Sequence, residues 1–254
     1  MITITLSNQK GGVAKTTTSS ALAAGLSHKG FKVLAVDLDP QCNFCLSAGI
    51  DPLQVERSLY DVFKKTAAVT DVIMKSPIGY DFLPGGLTLA GADMDFTQTG
   101  REFMLTEALE GISGQYDYAI IDTPPTLGIL TVNALTASQG VIIPMAADAY
   151  SLQGLSQLHG LIQSIRRYCN RDLQIMGLLL TKYHDRQTVS KTINDLIERA
   201  ADQLQTKVFE TKIRESVAIR EAALMQNDFL TEAPKAKATL DYNAFIEEVI
   251  NYGK

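Results

Sequence analysis

Short apolar, β-branched runs at residues 2–6, 32–36, 80–83, 118–121, 141–144 and 175–180 punctuate the chain. Between them lie longer stretches whose apolar positions recur every three or four residues, at 16–28, 101–109, 127–136, 152–168, 188–204, 217–225 and 241–252. The short runs are almost continuously hydrophobic, as strands buried on both faces must be, and the longer ones have the period of helices. Their alternation predicts an α/β fold: a single, doubly wound, mostly parallel sheet with helices on both faces. Residues 51–84 are irregular and predict short helices between strands. No repeat, low-complexity tract or linker interrupts the pattern, so residues 1–254 are expected to form one domain. Ligands of such a sheet bind at the carboxyl ends of its strands.

Composition narrows the class. Hydrophobic residues make up 46% of the 254 and charged residues 20%, an ordinary globular mixture. No apolar run is long enough for a membrane span, and the N-terminus lacks the basic and apolar regions of a signal peptide. Three cysteines exclude a disulfide scaffold and point to a reducing compartment. The net charge of -5 is unevenly spread. Residues 1–150 hold nine Lys or Arg against fifteen Asp or Glu, a net -6, whereas residues 151–254 hold fourteen against thirteen, a net +1. An acidic chain binds nucleic acid only through a local basic face, and the second half is where one is expected.

The strongest chemical signal is Gln9-Lys10-Gly11-Gly12-Val13-Ala14-Lys15-Thr16-Thr17, which leaves the first strand and opens the first helix. Glycines let backbone N–H groups converge on phosphate oxygens, and a helix N-terminus adds donors and a favourable dipole. Lys15 is placed to reach the β- and γ-phosphates, and the Thr16 hydroxyl to ligate Mg²⁺. The ordinary Walker A pattern does not fit, since Gln9 and Ala14 stand at its two glycines. The deviant form, with an extra lysine at Lys10, does. A glycine turn capping a helix would explain neither lysine.

Two further strands end in carboxylates. Residues 32–41 carry Asp37 and Asp39 one residue apart, which alternation along an extended strand puts on one side. One can orient an attacking water and the other can support Mg²⁺ or its waters. Residues 118–125 read Tyr-Ala-Ile-Ile-Asp-Thr-Pro-Pro, a Walker B pattern in which Asp122 holds Mg²⁺ directly or through water. Cys42 and Cys45 have a C-x-x-C spacing without a second pair, and read as small packing residues rather than a metal or redox site. Arg166, Arg167 and Arg171 fall at a helix end, where cations suit the dipole.

KGGVAKTTTSSALA, VLAVDLDPQCN and YDYAIIDTPPTLG together resemble the three nucleotide motifs of the ParA/MinD deviant-Walker P-loop ATPases, and most closely the short Soj-type ParA members. VIIPMAADAYSLQGL, MGLLLTKYHDR and VFETKIRESVAIREA resemble later segments of the same family, so the likeness spans nearly the whole chain. It implies ATP and Mg²⁺ as cofactors, held by Lys10, Gly11, Gly12, Val13, Ala14, Lys15, Thr16, Thr17, Asp37 and Asp122. It implies catalytic roles for Lys10, Lys15 and Asp39, with Asp39 positioning the hydrolytic water, and a metal site of Thr16, Asp39 and Asp122. Lys10 resembles the lysine that reaches across a dimer to the partner's ATP. Thr181, Lys182, Ile213 and Arg214 are expected to flank the adenine. Ala14 and Cys42 stand where relatives commonly have Gly, and Arg214 where many have Pro.

The implied activity is a slow, partner-stimulated ATPase of DNA partition, cytoplasmic and nucleoid-associated. It would form an ATP-dependent homodimer, bind DNA non-specifically and respond to a ParB-type centromere-binding protein. Lys182, Arg186, Lys212, Arg214 and Arg220 are the nominated DNA contacts, with Arg214 and Arg220 favoured. The chain starts directly on its first strand, so the N-terminal helix-turn-helix region of long plasmid ParA proteins is not expected. The alternative is a positioning ATPase for a membrane or protein-complex cargo. Glu247 and Glu248 in the last segment argue against a basic membrane helix, and no stable membrane anchor is expected. An iron–sulfur reductase would need its cysteines elsewhere in the chain.

Overall fold

The computed structural model describes residues 1–146, 154–183 and 190–252. Strands β1 (Ile2–Leu6), β2 (Val33–Asp37), β3 (Met74–Lys75), β4 (Asp81–Leu83), β5 (Tyr118–Asp122), β6 (Gly140–Ala146) and β7 (Gln174–Thr181) form a single sheet. Its order is β3-β4-β2-β5-β1-β6-β7, and every pair is parallel except β3 with β4. The doubly wound, mostly parallel expectation therefore holds. The antiparallel edge strand β3 escaped the pattern because two residues carry no period.

Alternation within the strands divides the core. In β2, Val33 and Ala35 face one layer while Leu34 and Val36 face the other; in β5, Tyr118 and Ile120 part from Ala119 and Ile121 in the same way. Helix α1 (Lys15–His28) lies on the first face. The second face is covered by helices α3 (Leu59–Phe63), α5 (Ala92–Asp95), α6 (Met104–Glu110) and α7 (Ile129–Thr136), which follow the short α2 (Asn43–Ser47) and flank the one-turn α4 (Val69–Val72). Helices α8 (Leu155–Tyr168) and α9 (Ser190–Gln203) cover β6 and β7. The remaining helices, α10 (Val217–Leu224), α11 (Phe229–Glu232) and α12 (Lys237–Ile250), bring the C-terminal segment back to α1.

The sequence of α1 explains its position. Its small residues, Thr18 through Ala24, are buried, so the helix sits sunk between the sheet and α12 instead of showing one wet face. A Cβ at Gly25 would stand 2.2 Å from Ile246 Cδ1, which measures how closely α12 packs on it. The carboxyl ends of β1, β2 and β5 thereby converge beside the first turn of α1.

Candidate nucleotide and magnesium site

The loop from Asn8 to Thr16 is held by side chains outside the recognised motif. Asn8 Nδ2 donates to Pro144 O at 2.8 Å, and Asn8 Oδ1 accepts from the Lys10 amide at 3.0 Å. From the other side, Thr181 Oγ1 lies 3.0 Å from Val13 O and 3.1 Å from Met145 O, bridging the loop, β6 and β7. Gly12 has φ 73° and Ala14 has φ 63°. The second value explains the family's preference for glycine there, because a left-handed alanine stores roughly 1–2 kcal/mol of strain. Cys42, at φ 55°, is the same case at the N-terminus of α2. Its thiol donates to Pro40 O at 3.4 Å, and Cys42 and Cys45 are both buried, as packing residues are.

Lys15 is buried, with Nζ 3.3 Å from the carbonyl oxygen of Lys10. Burial pulls its ammonium below the ordinary lysine value, and the nearby Asp122 and Asp39 carboxylates oppose that. A desolvated cation held in this way is poised for an anionic ligand. Lys10 lies half-buried at the rim of the loop.

The three carboxylates have separate environments. Asp122, the last residue of β5, is fully buried; it accepts from Thr16 Oγ1 at 2.7 Å and from Ser19 Oγ at 2.8 Å. Burial pushes its pKa up to about 6, against the pull of those two hydroxyls and Lys15. Asp37 is held by backbone amides. It is the last residue of β2, also fully buried, and its oxygens accept the amides of Asp39 at 3.0 Å and Cys45 at 3.1 Å. Fully buried and absent from the lining of the cleft, it braces the turn into α2, and burial raises its pKa well above the ordinary aspartate value. Asp39 lines the cleft, and its Oδ1 accepts from the Gln41 amide at 3.0 Å.

Two adjoining cavities follow. The first, about 690 Å³, is lined by the loop, Lys15, Thr16, Asp39, Gln41 and Pro125. The second, about 250 Å³, is lined by Thr181, Lys182, Ile213, Arg214, Ile219 and Tyr242 among others. The chain at 208–214 runs beside β7, with Ile213 N 2.8 Å from Leu180 O and Tyr183 N 2.9 Å from Ile213 O. That pairing joins two segments thirty residues apart, and the four residues expected beside the adenine do line one cavity. Ile219 and Tyr242 were missed; no spacing ties them to the motif, and only the packing of α10 and α12 brings them there.

The nominated DNA contacts are dispersed. Arg214 is tied to Asp241, its Nε 2.9 Å from Oδ2 and its NH2 2.5 Å from Oδ1. Arg220 borders both cavities. The Nζ of Lys182 lies 4.0 Å from the position a Cβ would take at Gly12. Lys212 stands over the Tyr183 ring, 5.1 Å from its centroid. Arg186 lies outside the described residues. Thus the two arginines favoured on sequence grounds are both drawn to the nucleotide cleft.

A hydroxyl beside a buried carboxylate, with a second carboxylate across the cleft, is the oxygen-only donor set that suits Mg²⁺ shared with phosphates. Among the described residues no cluster of three His, Cys, Asp or Glu could hold a metal ion.

Fold and cleft define a P-loop nucleotide-binding protein of the AAA-domain family, whose model matches residues 1–175. The chain belongs to the ParA group within it. It is 39% identical over 252 residues to the sporulation initiation inhibitor protein Soj of Bacillus subtilis, covering 98% of each chain. It is 36% identical over 253 residues to the chromosome partitioning protein ParA of Caulobacter vibrioides, covering 98% of this chain and 93% of that one. Among solved structures, it is similar to a cobyrinic acid a,c-diamide synthase from Mycobacterium smegmatis with bound ATP analogue and magnesium. The TM-score is 0.86 and the identity 32%, over 98% of this chain and 94% of that one.

Proposed function

We propose that this chain is a DNA-partition ATPase that takes Mg²⁺ and ATP in the cleft, pairs with a second copy, and holds DNA without regard to sequence in that paired state. A ParB-type partner accelerates hydrolysis and ends the cycle. The observation that carries this reading is a phosphate loop bearing two lysines, Lys15 buried beneath it and lining one cavity with Asp39, and Lys10 half-buried at its rim. A self-contained nucleotide site needs only the first lysine; the second is explained by a partner's nucleotide opposite it.

The division of labour follows from the surroundings. The backbone amides of Gly11 to Thr17 and the Lys15 ammonium hold the phosphates, with Thr16 and Asp122 on the side of the metal and Asp39 within reach of its waters. Thr16 and Asp122, with Asp39 nearby, would hold Mg²⁺ with the phosphates, and the ion would supply positive charge against the negative charge of the transferring group. Asp39 orients the attacking water. Asp37 acts through Asp39, by holding its amide. Lys10 adds positive charge to the transition state of the opposite subunit, as an arginine finger does.

For DNA we assign Lys182, Lys212 and Arg186, doubled by pairing of two chains. Arg214 serves Asp241 first. The apolar side of α12, with Phe245, Ile246 and Val249, is buried in the core, which favours DNA over a lipid surface as the platform. Among the described residues no helix is long and apolar enough to cross a membrane.

The test is a shift assay with unrelated duplexes, with and without ATP, across a salt series. Binding is expected only with ATP, with log K falling by about 0.9 per log salt for each phosphate contact. No ATP-dependent shift at low salt overturns the partition reading, and a protein-complex cargo takes its place.

A further inference from the structure

Among the described residues, Arg220 is the one side chain that borders both cavities without belonging to the phosphate loop or α1. The residues common to the two are Gly12, Ala14, Thr17 and Arg220. The first three form the floor under the junction; Arg220 reaches it from α10, on the opposite wall.

Local structure explains its direction. Helical side chains slope toward the N-terminus of their helix. Arg220 is the fourth residue of α10, and the N-terminal end of that helix, with Glu215, Ser216 and Ile219, is the part that lines the second cavity. The guanidinium lies 3.9 Å from Glu215 and the side chain is 67% exposed. An ion pair that long and that wet holds its partners weakly, so exchanging it for a better anion costs little.

The position selects the ligand chemistry. One cavity carries Lys15 and Thr16 of the phosphate loop and faces Asp39; the other carries the apolar Ile213, Ile219 and Tyr242, suited to a base. A group standing between them meets the middle of a nucleotide. A permanently charged, planar set of five donors there matches phosphate oxygens and not a neutral sugar.

We propose that Arg220 is a nucleotide-binding residue, which leaves Glu215 and grips the phosphate chain of a nucleoside di- or triphosphate near its ribose end, so drawing α10 over the cleft. The proposal rests on the reading of the cleft as an ATP site and removes Arg220 from the DNA surface. It makes the wall contributed by residues 213–220 responsive to phosphates, which Lys15 and the loop alone would not achieve.

The test measures equilibrium binding of ADP and of ATP, each with Mg²⁺, to the whole chain and to Arg220→Gln and Arg220→Lys, by titration calorimetry. Circular dichroism checks that each variant is folded. Loss of one charge-assisted contact is expected to weaken both nucleotides about 10-fold in Arg220→Gln, with partial recovery in Arg220→Lys. DNA binding by Arg220→Gln at saturating ATP is expected to match the wild type. Unchanged nucleotide affinity in both folded variants overturns the proposal. If DNA binding is lost in that case, Arg220 is a DNA contact, as its sequence context suggested. If the wild-type chain itself binds neither nucleotide, the ATP-site reading fails and the proposal with it. That outcome differs from the first, in which only the variants' insensitivity counts.

Discussion

The two walls of the cleft are built in opposite ways. The phosphate wall comes from nine consecutive residues, Gln9 to Thr17, whose backbone follows one route between β1 and α1. The base wall is gathered from Thr181 and Lys182, from residues 213–220 and from Tyr242, joined by one strand-like pairing and by the Arg214–Asp241 pair. The first is a local object with long-range pins. The second is a long-range object with hardly any local pattern. On the proposed reading, grip on phosphate is concentrated in a few atoms, whereas selection of the base is spread over contacts that each contribute modestly.

Three substitutions break this contrast to different depths. Lys15→Ala is expected to have the largest effect, because it empties the charge from beneath the loop. Affinity for ATP should fall by roughly 10²–10³-fold or more, as removal of a buried charged partner does. Calorimetry showing wild-type affinity would remove the phosphate-wall assignment. Asp39→Ala should act on rate rather than on binding. Loss of a water-positioning group typically lowers kcat by about 10²–10⁴-fold. A coupled phosphate-release assay, with ATP affinity measured in parallel, separates the two, and wild-type turnover would exclude the role. Asp241→Ala breaks the base wall and should be the mildest. It leaves the Arg214 guanidinium and amide without their carboxylate, costing about 1–3 kcal/mol of stability in a denaturant titration. Nucleotide affinity should drop only several-fold. A loss as deep as that of Lys15→Ala would mean the two walls are not independent.

The same contrast governs what was legible in the sequence. The phosphate loop, Asp39 and Asp122 were readable because glycine, lysine and strand-end carboxylates act within a few residues of one another. The order of strands and helices was readable because burial on two faces leaves an uninterrupted apolar run. Asn8 and Ser19 were not, although they lie inside or beside the motif. What they do depends on Pro144, 136 residues away, and on Asp122, 103 residues away. Asp37 was expected to share a side with Asp39 along an extended strand; that its oxygens are taken by the Asp39 and Cys45 amides depends on the turn into α2 and could not be read from the strand. Arg220 was nominated for DNA from a segment resembling the family's DNA-contacting region; that it also borders both cavities shows only once α10 is placed.

The packing of α12 on α1 bears on how the molecule is made. Tyr242 lies 3.1 Å from Thr18 across 224 residues of chain, and Ile246 fills the space that glycine leaves at position 25. Tyr242 also lines the second cavity. A ribosome that has released the first 130 residues has released the phosphate loop, Asp39 and Asp122. It has not released the surface against which their supporting helix is pressed. Domains generally fold as units as they emerge, so completion of the cleft falls among the last events of synthesis. A chain truncated before residue 242 would carry the full phosphate loop and yet lack the Tyr242 side of its seat.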